Sequence, residues 1–70
     1  MAMDADEFRL SLARVGWSAQ WFAAQVGYHP STVKAWRDGN RTIPAAVASW
    51  VRKAVSWMDR NPAPERDDAA

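Results

Sequence analysis

The chain of 70 residues contains no cysteine and only one histidine. The absence of cysteine excludes a disulfide framework, a thiolate metal site and a cysteine nucleophile. A single histidine without partners of suitable type and spacing does not indicate a metal or catalytic site. No segment approaches the roughly 20 consecutive apolar residues of a membrane-spanning helix, and the acidic first residues differ from the basic start of a secretory signal. We therefore expect a soluble, cytoplasmic protein that uses no metal or cofactor.

The sequence also lacks the residue patterns of catalysis. It has no paired carboxylates, no nucleophile beside a base and no glycine-rich loop that could hold a phosphate group, and it contains only three glycines in all. A chain of this length forms one small domain around one core. These absences argue against an enzyme and favour a binding protein.

Charge is distributed unevenly, although the formal net charge is only +1. Residues 1–7 carry three acidic side chains, and residues 60–70 have a net charge of −1. Residues 8–59 have seven Lys and Arg side chains against two Asp, which gives a net charge of +5. A basic central region suits an anionic partner such as nucleic acid, whereas the acidic ends are expected to be solvated.

Apolar periodicity and capping residues predict four helices and no strand. Asp4 and Glu7 form a D-x-x-E capping box for the first helix, in which Asp4 caps the N–H of Glu7 and the Glu7 side chain reaches back. Gly16 ends that helix, Ser18 caps a short second helix, and Gly27 ends the second. The expected apolar stripes are Phe8, Leu12 and Val15 in the first helix and Phe22, Ala23 and Val26 in the second.

The third helix is predicted to follow after a turn of about three residues. His29 occupies its N-cap position, and Pro30 occupies its first position, where a missing N–H costs nothing. Val33 and Trp36 are spaced to face inward, and Gly39 ends the helix. Such a short turn makes the axes of the second and third helices cross steeply.

The fourth helix is predicted to be the longest, from Ile43 and Pro44 to about Asp59. Its apolar stripe is Val47, Val51, Ala54 and Met58. From residue 60 the segment NPAPERDDAA has two prolines and no large apolar side chain, which predicts a disordered tail. The chain is thus divided into a helical domain over residues 1–59 and a tail over residues 60–70.

Five tryptophans are many for a chain of this length. Trp17 is expected to fill the gap between the first two helices. Trp21 lies on the outer side of the second helix, where it contacts a partner, packs against the first helix or is exposed. Trp50 and Trp57 lie seven residues apart on one flank of the fourth helix, either as ordinary core residues or as anchors of a dimer interface. The residues assigned to that interface are Trp50, Trp57, Val51 and Met58.

The second and third helices together resemble the helix-turn-helix of the phage repressor and Cro-like family, also called the XRE family. The resemblance covers residues 18–39, and the flanking helices extend it to about residues 5–58. It is carried by Ala23, Gly27, Val33 and Trp36 at the family's spacing, by the S-T-V-x-x-W run, by Gly39 and by the Ile43-Pro44 start of the next helix.

The resemblance implies a lambda-repressor-like bundle of four helices in which helices 2 and 3 form the helix-turn-helix. The third helix would then enter the major groove of double-stranded DNA, where its outward face reads base edges, while the second helix lies over the phosphate backbone. The candidate base contacts are His29, Pro30, Ser31, Lys34 and Ala35, and the candidate phosphate contacts are Ser18, Gln20, Tyr28, Arg37 and Arg41.

Individual residues refine this expectation. Lys34 suits guanine O6 and N7, whereas Pro30 offers only shape and apolar contact. Ala19 stands where many family members have a glutamine, so that phosphate contact is either missing or supplied by Gln20. Asp38 would repel phosphate, and it is therefore expected to avoid DNA or to pair with a neighbouring arginine.

We therefore expect a sequence-specific transcriptional regulator, a repressor that binds a near-palindromic operator as a homodimer. The resemblance suggests control of a phage or mobile-element operon, including autorepressors encoded beside anti-CRISPR genes, or the antitoxin of a toxin–antitoxin pair. A function of another class stays open: a protein-interaction adaptor that uses the tryptophan-rich surface and does not bind DNA.

Overall fold

The structure, a computed structural model, describes residues 2–64 and is all-helical across that range. The helices are α1 (Ala5–Val15), α2 (Ala19–Val26), α3 (Pro30–Asp38) and α4 (Ala45–Arg60). The predicted order of four helices is confirmed, and residues 2–64 contain no strand. None of these four helices combines the length and the hydropathy that crossing a bilayer requires.

Side-chain caps begin the first three helices at the predicted residues. In each case a side-chain oxygen or nitrogen accepts a hydrogen bond from a backbone N–H of the first turn, which would otherwise have no partner. The caps are Asp4 for α1, Ser18 for α2 and His29 for α3. Helix α4 instead begins after Pro44 without a side-chain cap.

Helix α4 ends one residue later than predicted, at Arg60. The first residue of the predicted tail is therefore helical, and residues 61–64 form neither helix nor strand. Residues 65–70, the remainder of that predicted tail, lie outside the described residues.

The core contains large side chains from all four helices. Phe8 of α1 lies at its centre, with its ring centroid 5.5 Å from Phe22 of α2 and 6.1 Å from Trp36 of α3, both in edge-on geometry. Val33 of α3 and Val51 of α4 are fully buried beside them. The remaining buried apolar residues are Met3, Leu12, Ala23, Ile43, Val47 and Ala48. Val15, Val26, Ala54 and Met58, expected in the apolar stripes, are only half-buried.

The reciprocal half of the predicted capping box at α1 does not form. Asp4 accepts the Glu7 N–H at 2.7 Å as expected, but the Glu7 carboxylate binds Arg52 of α4 through two hydrogen bonds of 2.9 and 3.1 Å. A guanidinium matches both carboxylate oxygens at once, which a single backbone N–H cannot do. Glu7 therefore joins two helices instead of closing its own.

A second ion pair joins α1 to α4 one heptad further along. Arg14 Nε donates to Asp59 Oδ1 at 2.7 Å. Residue numbers rise together in the two pairs, from Glu7 with Arg52 to Arg14 with Asp59, so α1 and α4 run parallel where they pack. The two pairs share one register of α1 on α4.

The Glu7–Arg52 pair predicts a dependence of stability on pH. Hydrogen bonding to Arg52 lowers the pKa of Glu7 from its ordinary value of 4.5. Because the folded-state pKa lies below the unfolded-state value, the stabilisation is complete above pH 4.5 and is lost as pH falls through the folded pKa. Glu7→Gln is therefore expected to flatten the fall of Tm on acidification, measured by circular dichroism from pH 7 to 3. An unchanged acid profile would show that this pair contributes nothing.

Candidate nucleic-acid interface

Three residues connect α2 to α3, in agreement with the short turn predicted from the sequence. Gly27 has φ +76°, and its N–H and that of Tyr28 both donate to the Ala23 carbonyl, at 3.0 and 3.1 Å. A β-carbon on Gly27 would meet nothing within 4 Å, so glycine is favoured here for its conformation and not for space. Helix α2 packs against α3, and Ala23 is fully buried.

Helix α3 has one buried and one exposed side. Val33 is fully buried and Trp36 is 2% exposed, which confirms the two predicted inward anchors. His29, Ser31 and Lys34 are exposed on the other side. Pro30 and Ala35, two further candidate base contacts, are half-buried. The helix therefore presents a short polar ridge to the solvent while it remains fixed to the core.

His29 and Ser31 form a hydrogen-bonded unit at the start of this ridge. His29 Nδ1 accepts the Ser31 backbone N–H at 3.1 Å and lies 2.8 Å from Ser31 Oγ. An acceptor at Nδ1 places the proton of the neutral ring on Nε2. The sequence suggested two independent contact residues, but the geometry couples them. His29 then offers a donor at Nε2, and Ser31 keeps the acceptor capacity of its hydroxyl oxygen.

The basic side chains of α3 and of the loop that follows it differ in whether they form ion pairs. Lys34 and Arg41 are exposed, and neither forms an ion pair with any residue between 2 and 64. Arg37 Nε lies 3.4 Å from Asp38 Oδ1, in the pairing that was expected of Asp38. Both partners of that pair are more than two-fifths exposed, and an exposed pair of this length stabilises weakly and opens readily. Of the cations in α3 and the loop that follows it, Lys34 and Arg41 are thus the most available to an anionic partner.

The other candidate phosphate contacts lie around α2. Ser18 Oγ already accepts the Trp21 N–H at 3.0 Å, whereas the Gln20 side chain is exposed. The N–H groups at the start of a helix that remain without intrahelical acceptors can bind an anion. Tyr28, in the turn at the other end of α2, is exposed, and its ring packs edge-on against Trp36 with centroids 4.8 Å apart.

One contact to α3 was not anticipated from the sequence. Arg9 of α1 donates from Nη1 to the backbone carbonyl of Arg37 at 2.7 Å, and it also pairs with Asp6. The two ends of the bond to α3 are 28 residues apart in sequence, and no local pattern indicates it. The last turn of α3 is thereby tied to α1.

Three tryptophans are exposed, Trp21, Trp50 and Trp57, and they are here called together the tryptophan face. Trp50 and Trp57 lie on one flank of α4 by their seven-residue spacing. The half-buried Trp17 packs against two of these three rings, with its centroid 4.9 Å from that of Trp21 and 5.1 Å from that of Trp50. Trp50 also contacts the Phe22 ring at 5.5 Å. Trp17 therefore packs against the core with ring contacts to α2 and α4, and its expected place between the first two helices stays a prediction. Trp21 contacts Trp17 while it stays 45% exposed.

The structure decides between the core and the surface positions considered for Trp50 and Trp57 of α4. Trp50 is 40% exposed and Trp57 is 56% exposed, so the interpretation of these two as ordinary core residues is wrong. Val51, assigned from its sequence position to a dimer interface, is fully buried in the core and offers no surface to a second copy. It points toward the same side as buried Val47, four residues earlier on the helix. Met58 is half-buried.

Comparison of the chain with protein-family models, with curated proteins and with solved structures finds no match. Among residues 2–64, no three His, Asp or Glu side chains come together as ligands for a metal ion. Function is therefore inferred from the exposed ridge of α3, its neighbouring cations and the tryptophan face.

Proposed function

We propose that this protein is a sequence-specific DNA-binding transcriptional regulator in which α2, the turn and α3 act as a helix-turn-helix. The main support is the two-sided character of α3. Val33 and Trp36 anchor one side in the core, and the opposite side exposes Lys34 and Ser31 to solvent. An α-helix about 10–12 Å wide fits a major groove of about 12 Å, and the likeness to phage repressors and Cro-like proteins supports the same docking.

In this proposal the ridge of α3 reads base edges. Lys34 donates to guanine O6 or N7. His29 contributes the Nε2 donor, and Ser31 contributes an acceptor, because their hydrogen bond to each other fixes both side chains. Pro30 and Ala35 make apolar contacts, for which a thymine methyl is the natural partner.

Phosphate contacts hold the protein in register and carry no sequence information. Arg41 supplies the strongest of them, because it is exposed and forms no ion pair with residues 2–64. Arg37 contributes once its weak pair with Asp38 opens. Gln20, Ser18 and Tyr28 complete the set from α2 and the turn, where Gln20 takes the place of the absent glutamine at position 19.

We further propose that two copies bind a near-palindromic operator. A domain of this size contacts few base pairs, and a two-fold pair of α3 helices doubles the number that is read. The tryptophan face supplies large aromatic anchors of the type that dominates protein interfaces. Occupation of a promoter by such a dimer represses transcription, which suits the regulator of a phage or mobile-element operon.

Selection from a pool of random double-stranded DNA tests this proposal directly. The expected result is a paired motif with half-site centres about 34 Å apart or a multiple of that distance. Affinity for the selected DNA is expected to fall steeply with rising salt, because each neutralised phosphate releases counterions. Recovery of no motif together with salt-independent behaviour would instead favour the protein-interaction adaptor, for which the tryptophan face is the supporting observation.

Two substitutions separate base reading from phosphate binding. Lys34→Ala is expected to cost about 1–3 kcal/mol of binding free energy and to relax the preference at one base pair. Arg41→Ala is expected to weaken binding to all sequences alike and to reduce the salt slope by about one unit. Binding isotherms on the operator and on its single-base variants measure both effects. Equal losses for the two variants on every sequence would contradict this division of roles.

A further inference from the structure

We propose that Arg9 is a positioning residue that sets the orientation of α3 for base reading. This inference rests on the proposed function. It concerns a side chain on α1 that is turned toward the protein's own α3, where it hydrogen-bonds the backbone carbonyl of Arg37.

The last turn of α3 has carbonyl groups that need donors from outside the helix. The N–H groups of Gly39 and Asn40 serve the carbonyls of Trp36 and Ala35, at 3.3 and 2.8 Å. The next carbonyl, that of Arg37, receives its hydrogen bond from Arg9 Nη1 at 2.7 Å. Arg9 therefore completes the C-terminal cap of α3 from a different helix.

The Arg9 guanidinium is itself held in place. It pairs with Asp6 one turn earlier on α1, and α1 itself packs against α4. A positive group at a helix C-terminus also interacts favourably with the helix dipole. The contact thus connects the end of α3 to a helix that packs against both α3 and α4.

The position of this contact suits control of the rotation of α3. Val33 and Trp36 hold one side of α3 in the core, and with these two points fixed the freedom that remains to the helix is a small rotation about the line that joins them. Arg37 lies one turn beyond Lys34 on the helix, and a hydrogen bond at its carbonyl restrains that rotation. Such a rotation moves the outward-facing Lys34 side chain relative to the base edges, whereas the apolar anchors stay in place.

The effect is expected in DNA discrimination more than in folding. The side chains of Arg9 and Asp6 are 48% and 78% exposed, and exposed ion pairs contribute little to stability. The relevant quantity is the ratio of affinities for the selected operator and for the same operator with the base pair opposite Lys34 replaced. A single well-placed contact gives a discrimination that a small displacement can remove.

The experiment compares Arg9→Gln, Arg9→Lys and Arg14→Gln with the wild-type chain. Arg9→Gln is expected to lower the discrimination ratio about tenfold, and Arg9→Lys is expected to restore most of it, because an ammonium keeps both the charge and the donor. Arg14→Gln is the matched control, since Arg14 is also an ion-paired arginine of α1 but binds Asp59 of α4. Its ratio is expected to stay unchanged. Amide hydrogen exchange of the free proteins is expected to show faster exchange at the end of α3 only in Arg9→Gln.

Four outcomes would overturn the inference. An unchanged ratio in Arg9→Gln would do so while leaving the proposed function intact. A uniform loss of affinity on every sequence, with a salt slope reduced by about one, would make Arg9 a phosphate contact. An Arg9→Gln chain that does not fold would make Arg9 a residue of fold stability alone. A wild-type protein that discriminates among no DNA sequences would remove the proposed function and this inference together.

Discussion

Trp36→Ala is expected to lower the free energy of unfolding by about 3–5 kcal/mol. Trp36 is only 2% exposed, and its ring contacts Phe8 and Tyr28, so the substitution leaves a cavity in the core beside Phe8. The whole stability of a chain this short is about 3.5–10 kcal/mol. The variant is therefore expected to be largely unfolded or close to it, measured by urea denaturation followed by circular dichroism.

The matched control is the same chemical change at an exposed tryptophan. Trp57→Ala, measured at a concentration that keeps the chain monomeric, is expected to change the unfolding free energy by no more than about 0.5 kcal/mol, because Trp57 is 56% exposed. Trp36→Phe is expected to lose much less unfolding free energy than Trp36→Ala, since it keeps an aromatic ring at this core position. Equal stabilities for Trp36→Ala and Trp57→Ala would mean that α3 is not anchored in the core as described.

The ends of the first three helices could be predicted because each depends on residues within four positions of one another. A cap such as Ser18 needs only a free N–H three residues later, and Gly27 needs only a backbone that reverses. The side of α3 that faces the core followed in the same way, since Val33 and Trp36, three residues apart, must share one face of a helix. The exposed ridge of the candidate site could therefore be predicted from the sequence.

The contacts between helices could not be predicted from the sequence in this way. Glu7 could close its own capping box or bind a partner 45 residues away, and the outcome depends on where α4 passes α1. Apolar periodicity indicates which face of a helix is buried, but it does not indicate which residues of the other helices contact that face. The bond from Arg9 to the Arg37 carbonyl was missed for the same reason, and so was the coupling of His29 to Ser31, which depends on the rotamer of the capping side chain.

The fourth helix shows the limit of periodicity most directly. Trp50 and Trp57 occupy the same flank, yet Trp17 and Phe22 cover part of Trp50, and Trp57 is the more exposed of the two. Whether a flank position is buried depends on neighbours that only the fold supplies. Val51 was misassigned because its stripe was treated as continuous with that flank, whereas it faces the core.

Trp57→Ala is expected to give a folded monomer that binds the operator about 10²- to 10⁴-fold more weakly than the wild type. Two linked half-site contacts exceed a single one by about that factor, because the second contact forms at a high effective concentration. Trp57 is the preferred site for this substitution, since Trp50 also packs on Trp17 and Phe22 and its loss would disturb the protomer. Sedimentation velocity measures the oligomeric state, and binding isotherms on full and half operators measure the affinity.

Leu10→Ala provides the control for this last prediction. Leu10 is 72% exposed on α1, so its substitution also removes exposed apolar surface, but it changes none of the three tryptophans of the tryptophan face. It is expected to leave both dimerisation and operator binding unchanged. A Trp57→Ala chain that still sediments as a dimer would place the interface elsewhere. A wild-type chain that is monomeric and binds half and full operators equally would contradict the proposed dimer. Base reading by α3 would not be affected by that result, because it depends on the exposed ridge of α3 and not on the tryptophan face.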